Sequence, residues 1–537
     1  MRGVAATSTT IPSSASRLLT QQSILLGAIF FLVFCAYTTI QFYARSTYGP
    51  DLAASSVSTL YGVFTAACFV APSLVNQWGA VPSLGIGILG YASLVSCSLI
   101  YFQINQNITC ENHHKCSEES YGWLVIFGGA LVGFGASLLW TAQGRLMLHY
   151  AKLQDIITTG SGGGAKLMGY FWAVFQCSSL VGGAISFWYY SSSTKDDEQG
   201  QDQTESPTAD TYLYVFFLSI ILLGAGLSQY VLLSPSQLDS IVLNDLGDIE
   251  ESDMSHNVRP PTGASPSASE ESPLLENQSH EHRTTSSHSM NIDMIPNNEI
   301  VMNEHESKGW TSELRATLAL FVTSRPLWKL SMLFVYTGFN QPYQQATYTR
   351  FFSKRTIGVE LIVFHWMEIM GALLSGRILD DSDHKSQTCA SAITSRRRSK
   401  VSVACLLTFL TVNSFGNLIA LKVETESHTS HIDDSSAWDI QSPASWLPSI
   451  AFGCWGLADA LIQVYAYWIL GTIFHSSQDH AISVGFYKCL QSLGFCLGFW
   501  LIPLDRLPAF LHLALSSTVF LVGTGLAFWQ LPDILIC

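Results

Sequence analysis

Twelve long apolar segments constrain the fold of this 537-residue chain more than any other feature of its sequence. A helix needs about 20 mostly apolar residues to cross the hydrocarbon core of a bilayer, and each segment has about that length. Lipid offers the backbone no hydrogen bonds and the alternating pattern of a barrel strand is absent, so each segment is predicted to be a helix. The predicted spans lie near residues 22–43, 55–76, 82–103, 122–149, 166–190, 211–233, 326–348, 357–379, 400–421, 446–473, 481–503 and 508–531.

The low content of charged residues supports a protein that lies mainly in lipid. Only 12% of the residues are Asp, Glu, Lys or Arg, which is about half the share found in ordinary soluble proteins. The net charge of −14 excludes a basic protein that binds nucleic acid. The apolar segments make the lipid bilayer the first expected partner. No motif of a soluble enzyme and no standard metal-ligand spacing is present. Therefore no enzyme activity, cofactor or metal is predicted.

The predicted spans form two groups of six, separated by a long polar stretch. That stretch is rich in Ser, Pro, Asn and Glu and poor in aromatic residues, a composition typical of disorder. Short sequences in the two groups are similar, for example GFGASLLWTAQ at 133–143 and GCWGLADALIQ at 453–463. We therefore predict an all-α membrane protein with two pseudo-symmetric six-helix halves. Its predicted parts are a cytosolic N-terminal tail (1–21), an N-terminal half (22–234), a disordered acidic cytosolic loop (235–312), a C-terminal half (313–531) and a cytosolic C-terminal tail (532–537).

The distribution of basic residues predicts that both ends of the chain lie in the cytosol. Cytosolic connections of membrane proteins carry an excess of Lys and Arg. With a cytosolic N-terminus, most basic residues fall on the cytosolic side, including the cluster of Arg396, Arg397, Arg398 and Lys400. An even number of spans then returns the C-terminus to the same side.

Four ionisable side chains within predicted spans are candidates for function, because a charge is costly to keep inside a membrane. Asp459 lies in the tenth span and Lys488 in the eleventh, and we predict that they form a charge pair. Such a pair either locks the C-terminal half together or responds to ions or protons. His365 and Glu368 lie three residues apart in the eighth span. They form either a structural pair or a proton relay.

Four glutamines occupy corresponding positions in the two halves. Pseudo-symmetry relates Gln143 to Gln463 and Gln176 to Gln491. If the halves are related by an internal repeat, these amides are predicted to face a central cavity between them. The alternative is that each glutamine only forms hydrogen bonds with a neighbouring helix.

The connection between the third and fourth spans has features of a loop outside the cytosol. Asn107 begins an Asn-Ile-Thr sequon for N-glycosylation. Cys110 and Cys116 lie in the same connection and are predicted to form a disulfide. Zinc bound by these two cysteines with His113 and His114 is the alternative, although the spacing is not that of a standard zinc finger.

The long polar connection contains a short motif for protein sorting. Glu270 lies four residues before the pair Leu274 and Leu275, which is the spacing of an acidic dileucine signal. Adaptor proteins bind such signals in exposed segments, so adaptors are expected partners and an endolysosomal or vacuolar membrane is the expected location. If the leucine pair is an accident of composition, the plasma membrane is the alternative.

Several motifs together resemble the Unc-93 family, whose members have the major facilitator fold. They are the segments 58–62 (STLYG), 139–144 (LWTAQG), 348–350 (YTR) and 456–460 (GLADA). The resemblance extends over most of the chain and implies the twelve-helix architecture of that fold. It also implies regulation of ion channels or escort of membrane receptors, although other members of the family resemble solute carriers.

One motif of facilitator transporters is present in only one half. These transporters carry charged residues between the second and third helices that latch the conformational cycle, but the corresponding segment 76–82 (NQWGAVP) has no charge. The second-half counterpart retains charged residues at Arg377, Asp380, Arg396, Arg397 and Arg398. The leading prediction is therefore an Unc-93-like protein that regulates ion channels or ion homeostasis, or escorts a partner such as a channel or receptor. The alternative is a secondary transporter of a small solute or ion, with proton coupling as an option.

Overall fold

The computed structural model describes residues 14–111, 121–158, 164–196, 207–245, 309–384, 391–430, 438–501 and 506–536. Within that part of the chain, a single bridge between Phe352 and Trp438 is the only β-pairing. The helices are α1 (Ser14–Tyr48), α2 (Pro50–Ala67), α3 (Ala71–Trp78), α4 (Ala80–Glu111), α5 (Trp123–Ile157), α6 (Gly164–Asp196), α7 (Pro207–Tyr230), α8 (235–245), α9 (Trp310–Thr323), α10 (Arg325–Pro342), α11 (Lys354–His384), α12 (Ser391–Ser430), α13 (Trp446–Ile473), α14 (Ser477–Leu501) and α15 (Ala509–Ile536).

These helices form the twelve crossings that the sequence predicts. Ten helices in the described residues are long and apolar enough to cross a membrane singly, and two bent pairs complete the set. α2 and α3 meet at 63°, and α9 meets α10 at 77°. Pro72 at the start of α3 explains the first bend, because it has no N–H group to continue the hydrogen bonds of α2. The prediction of an all-α membrane protein with twelve transmembrane helices is confirmed.

An even number of crossings places the start of α1 and the end of α15 on the same side of the bundle. We call this side the termini face and the opposite side the distal face. α1, α6 and α14 run from the termini face to the distal face, whereas α5, α11 and α13 run the other way. The depth of a residue in the bundle follows from its position along its helix.

The connection at 235–312, which the sequence predicts to be disordered, is helical at both of its ends. α8 lies within it, and α9 begins inside it at Trp310. Leu238 and Val242, one helical turn apart on α8, are buried. Apolar residues four positions apart thus form a helix face that packs on the bundle. The polar composition of the whole stretch gave no sign of this face. The rest of the connection lies outside the described residues, so its disorder stays a prediction.

The two predicted tails are also partly helical. α1 begins at Ser14, inside the predicted tail 1–21, and α15 ends at Ile536, inside the predicted tail 532–537. A helix that continues past the hydrocarbon core keeps more of its terminal backbone groups hydrogen-bonded. Helix ends therefore need not coincide with the ends of the apolar spans.

The two halves meet along α6 and α11, whose backbones approach closely near both faces. A Cβ atom added to Gly169 would lie 2.7 Å from the carbonyl oxygen of Ala372, and one added to Gly358 would lie 2.7 Å from the backbone nitrogen of Phe187. Small residues permit this approach between membrane helices. α14 forms the second contact between the halves, against α2, α3 and α5. The central cavity lies between these two contacts.

An ion pair with a buried carboxylate holds the distal end of α10. Pro342 interrupts the helical hydrogen bonds, and the chain continues as a π turn over Tyr343–Thr347. Glu424 of α12 is fully buried beside this turn, where it pairs with Arg350 and accepts a hydrogen bond of 2.9 Å from the Tyr343 hydroxyl. The polar sequence around Pro342 is thus tied to α12 instead of facing lipid.

A second ion pair on the distal face predicts a pH window for stability. The Arg355 guanidinium binds both carboxylate oxygens of Asp439, through Nε at 2.6 Å and Nη2 at 2.5 Å. This contact lowers the pKa of the Asp439 carboxyl to about 2. The unfolded value is about 3.9, so the pair stabilises the fold fully above that pH. Its contribution is lost as the pH falls through the folded-state value of about 2.

We therefore expect Asp439→Asn to lower thermal stability equally at neutral pH and at the pH of an acidic compartment, about 5. At about pH 3 the loss should be roughly half as large. Because the two side chains are 28% and 31% exposed, the full loss should be modest, about 1 kcal/mol. Melting curves of the purified protein at the three pH values measure it. A loss that already vanishes at pH 5 would contradict the low pKa of Asp439.

Candidate functional site

A cavity of about 410 Å³ lies between the two halves near the middle of the bundle. Its walls come from both halves and combine aromatic rings with polar side chains. Most lining residues occupy the distal parts of their helices, so the cavity faces the distal face. Its charged, imidazole and amide side chains are Gln41, Gln176, Gln341, Gln345, His365, Glu368, Asp459, Gln463, Lys488 and Gln491.

Hydrogen bonds between the halves close the bundle on the termini face. Arg145 of α5 is only 7% exposed, and it donates from Nε to the Ser477 hydroxyl at 3.0 Å and from Nη1 to the Val75 carbonyl at 2.9 Å. Asn76 donates from Nδ2 to the Gln478 carbonyl at 3.4 Å. These bonds join α3 and α5 to the start of α14. Sequence reasoning missed this role of Arg145, because a basic residue near a helix end usually extends to the membrane surface.

Two carboxyl groups and a histidine form a cluster on the second-half wall of the cavity. His365 Nδ1 lies 2.5 Å from Glu368 Oε2. The Glu368 carboxyl is within hydrogen-bonding reach of Asp459, and Gln463 donates from Nε2 to Asp459 Oδ2 at 3.4 Å. In a medium of low dielectric constant, two carboxylates in contact repel each other, so the arrangement favours a proton held between them. The contact between α11 and α13 thus brings together two candidates that the sequence treats separately.

Lys488 occupies an aromatic site in another part of the cavity wall. Its side chain is 3% exposed, and Nζ donates to Gln491 Oε1 at 2.7 Å. Nζ also lies 4.4 Å from the centroid of the Trp140 ring and 4.7 Å from that of Tyr487. Such cation–π contacts stabilise a buried ammonium group.

The predicted charge pair between Asp459 and Lys488 does not form as a direct contact. Both residues are described, and no nitrogen–oxygen distance between them is within 4.0 Å in the structure. The reason is that Glu368 and Gln463 contact the Asp459 carboxyl, whereas Gln491 and the rings contact the Lys488 ammonium. The two groups therefore share the cavity wall without direct contact.

Three of the four glutamines line the cavity. Gln176, Gln463 and Gln491 are in its wall, whereas Gln143 is completely buried outside it. Gln143 Oε1 accepts a hydrogen bond of 2.9 Å from the Tyr467 hydroxyl. The predicted cavity position of Gln143 is therefore wrong, because its amide is hydrogen-bonded to Tyr467 of the other half. Its counterpart Gln463 accepts a similar bond of 2.6 Å from the Tyr487 hydroxyl.

Tyrosine and tryptophan residues are the part of the site that sequence reasoning missed. Trp140, Trp172, Tyr467 and Tyr487 surround the Lys488 ammonium. In an apolar helix an aromatic ring is usually a packing residue, so composition gives no signal. One signal for Trp140 was available in the sequence, because this residue lies one helical turn before the polar Gln143.

The charged residues predicted to form a latch in the second half lie on helices. Arg377 and Asp380 are within α11, and Arg396, Arg397 and Arg398 are within the first turns of α12. The side chain of Arg377 is exposed. The side chains of the other four residues lie outside the described part of the structure, so the latch stays a prediction.

Three further predictions concern residues for which the structure describes at most the backbone. Asn107 and Cys110 fall in the last turns of α4, where only the backbone is described. The remaining residues of the predicted disulfide and sorting signal, namely Cys116, Glu270, Leu274 and Leu275, lie outside the described residues. Glycosylation, the disulfide and adaptor binding therefore stay predictions. Among the described residues, no group of three His, Cys, Asp or Glu side chains is placed to hold a metal ion.

Comparison with protein families and curated proteins gives a consistent result. The family model described as "Ion channel regulatory protein UNC-93" matches residues 54–245 and 286–528. An UNC93-like protein of Schizosaccharomyces pombe is 20% identical over 445 residues, which cover 83% of this chain and 68% of that protein. Protein unc-93 homolog A of Mus musculus is 22% identical over 495 residues, which cover 88% and 84% of the two chains.

Solved structures with a similar fold are facilitator transporters. The proton:xylose symporter XylE has a TM-score of 0.55 at 11% identity and covers 98% of this chain and 97% of its own. The Escherichia coli fucose:proton symporter FucP has a TM-score of 0.51 at 13% identity, with coverage of 95% and 98%. A bacterial homologue of the iron transporter ferroportin has a TM-score of 0.54 at 8% identity, with coverage of 96% and 98%. At these identities the likeness concerns the fold alone, and it confirms the predicted major facilitator architecture.

Proposed function

This chain belongs to the UNC-93 family and has the major facilitator fold, and we propose that it is a proton-coupled transporter of a small polar solute. The contact between Glu368 and Asp459 in the cavity wall carries this proposal. Ionisable residues inside a membrane protein are costly and mark the paths of ions or protons. Two carboxyl groups in contact, in a cavity that faces one side, form a site that can take up and release a proton.

The hydrogen bonds around Asp459 provide a physical route for coupling. Its carboxyl contacts Gln463, which accepts the Tyr487 hydroxyl at 2.6 Å. The Tyr487 ring lies against the Lys488 ammonium, whose charge is opposite in sign to that of an ionised acidic pair in the same cavity. Loss or gain of a proton at the pair therefore changes the hydrogen bonding and the electric field of the whole cavity. A solute in the cavity responds to both.

The lining of the cavity favours an uncharged polar solute with an apolar side. Binding pockets for small molecules combine aromatic walls with a few polar groups that fix orientation, and the volume of about 410 Å³ is typical of them. Glutamine amides both donate and accept hydrogen bonds, as hydroxyl-rich solutes require. Tyr61, Tyr91 and Trp140 supply rings in the same wall.

Transport in proteoliposomes tests the proposal. Purified protein is reconstituted with the pH-sensitive dye pyranine inside, and D-xylose, L-fucose, neutral amino acids and K⁺ are added outside one at a time. Co-transport with protons should acidify the interior for at least one solute, and an imposed proton gradient should drive accumulation of the same solute in labelled form. If no solute of the panel acidifies the interior and none raises the melting temperature of the protein, the results would count against transport.

Regulation of an ion channel is the second candidate, and two observations favour it. The family model carries that description, and the backbones of α6 and α11 are in contact near both faces. A rocking transporter must open one of these contacts, whereas a regulator can keep both. Affinity purification from native membranes, followed by current recordings of a co-purified channel with and without the chain, tests this role. If the current of a channel depends on the chain and the proteoliposomes show no transport, regulation becomes the leading function and transport the second.

A further inference from the structure

A second cavity lies on the lipid-facing side of the second half and shares no lining residue with the central one. It is a groove of about 750 Å³ between α11, α12 and α13. Apolar side chains such as Val363, Met367, Phe415, Ile450 and Leu457 form most of its walls. Phe415 and Ile450 are 54% and 47% exposed, as expected for side chains that face lipid. The groove is therefore open to the membrane and not to water.

One carboxyl group interrupts this apolar wall. Glu360 lines the groove and is only 2% exposed. Its Oε1 accepts a hydrogen bond from the Ser449 hydroxyl, which lines the groove as well. Its Oε2 is buried and has no hydrogen-bond partner in the described part of the chain. Buried polar atoms are nearly always hydrogen-bonded, so this oxygen calls for a donor that the protein itself does not supply.

The depth of Glu360 matches the polar boundary of a membrane lipid. It lies six residues after the first residue of α11, which is about 9 Å along the helix at a rise of about 1.5 Å per residue. From there the groove continues past Val363 to Met367, about 10 Å deeper. A ligand that fits has one polar group near the membrane surface and an apolar body that reaches toward the bilayer centre.

We propose that this groove binds a membrane sterol, with its hydroxyl group hydrogen-bonded to the Glu360 carboxyl. A sterol hydroxyl both donates and accepts hydrogen bonds, so it can pair with a buried carboxyl. A phospholipid or a free fatty acid would place a charged group against these apolar walls, which is costly. The wall also includes Gly453, where an added Cβ would meet only Val363 and Met367, both at 3.7 Å. Absence of a side chain there leaves a flat patch on α13 that suits a rigid ring system. The proposal does not depend on the transport function.

Photolabelling of the full chain tests the site. The protein is purified into phosphatidylcholine nanodiscs and irradiated with a photoreactive cholesterol analogue, with and without excess cholesterol, and labelled peptides are mapped by mass spectrometry. We expect competable labelling of α11 or α13. Glu360→Met removes the acceptor at similar size and should weaken competition by cholesterol about tenfold, the usual effect of a lost buried hydrogen bond.

A second variant guards against a folding defect at Glu360. Gly453→Leu fills the groove without breaking a hydrogen bond and should remove the competable label. Gly226→Leu on α7 is the matched control, because an added side chain there meets nothing within 4 Å, and its labelling should equal that of the unmodified protein. Unchanged labelling in both groove variants would overturn the proposal. Labelling by photoreactive phosphatidylcholine that cholesterol does not reduce would do so as well, since the occupant would then be a phospholipid.

Discussion

Asp459→Asn is expected to abolish proton-coupled transport, with a rate at least about 100-fold below that of the unmodified protein. This is the lower range of what loss of a positioned proton-transfer group costs. An amide cannot release a proton, and Glu368 loses the partner with which it shares one. The Gln463 amide now donates to Asp459 Oδ2, and the carbonyl oxygen of the substituted side chain can accept the same hydrogen bond, so the variant should fold. Proton uptake and solute accumulation in proteoliposomes measure the effect.

Infrared spectroscopy separates a proton-carrying role of Asp459 from a structural one. A protonated carboxyl has its own C=O stretching band, and the difference spectrum between low and high pH should lose one such band in the variant. Asp51→Asn is the matched control, because Asp51 is exposed in the first turn of α2 and lies outside the cavity. The control should keep both transport and the band. Near-normal coupled transport by Asp459→Asn would exclude the acidic pair as the proton site.

Gly338→Ala should prevent the second half from packing. A Cβ atom added at Gly338 of α10 would lie 1.8 Å from the carbonyl oxygen of Gln491 on α14. The oxygen belongs to a helix backbone and the position of a Cβ is fixed by its own backbone, so no side-chain rotation relieves the clash and the helices must separate. Overpacking of a core typically costs about 1–3 kcal/mol and more where the backbone must move. We expect the yield of folded protein to fall at least about tenfold, as measured by gel filtration of a fluorescent fusion.

The same substitution in an open position provides the comparison. Gly525 of α15 has nothing within 4 Å of an added Cβ, and alanine is the better helix former by about 1 kcal/mol. Gly525→Ala should therefore keep or slightly raise the melting temperature. Because Gln491 holds the Lys488 ammonium, any Gly338→Ala protein that folds should also lose solute binding. A normal yield and normal binding would contradict a close backbone contact between α10 and α14.

The number and type of crossings follow from the sequence because an apolar segment in lipid can satisfy its backbone hydrogen bonds only as a helix. Every backbone group in the hydrocarbon core must be hydrogen-bonded within its own segment, so apolar length alone predicts a helix. The same argument finds Asp459, Glu368 and Lys488, because an ionisable residue stands out in an apolar span. It fails for α8, whose short apolar face is diluted by the polar residues of the long connection.

The partners of those ionisable residues depend on the tertiary structure alone. α13 and α14 are apolar on most sides, so their sequences carry little periodic signal of which side faces a neighbour. The packing of α11 on α13 places Glu368 beside Asp459, and the rings of Trp140 and Tyr487 take the place beside Lys488 that a carboxylate was predicted to fill.

The sequence by itself thus determined the twelve helices, their division into two halves and the ionisable residues of the cavity. Tertiary structure decided which of these residues touch, how Arg145 closes the termini face, and that Glu360 lines a separate groove open to lipid. The physical reason is that hydrophobicity specifies the depth of a residue in the membrane. The direction in which its side chain points is set by close packing between helices, and that packing depends on small residues far apart in the chain, such as Gly169 and Ala372.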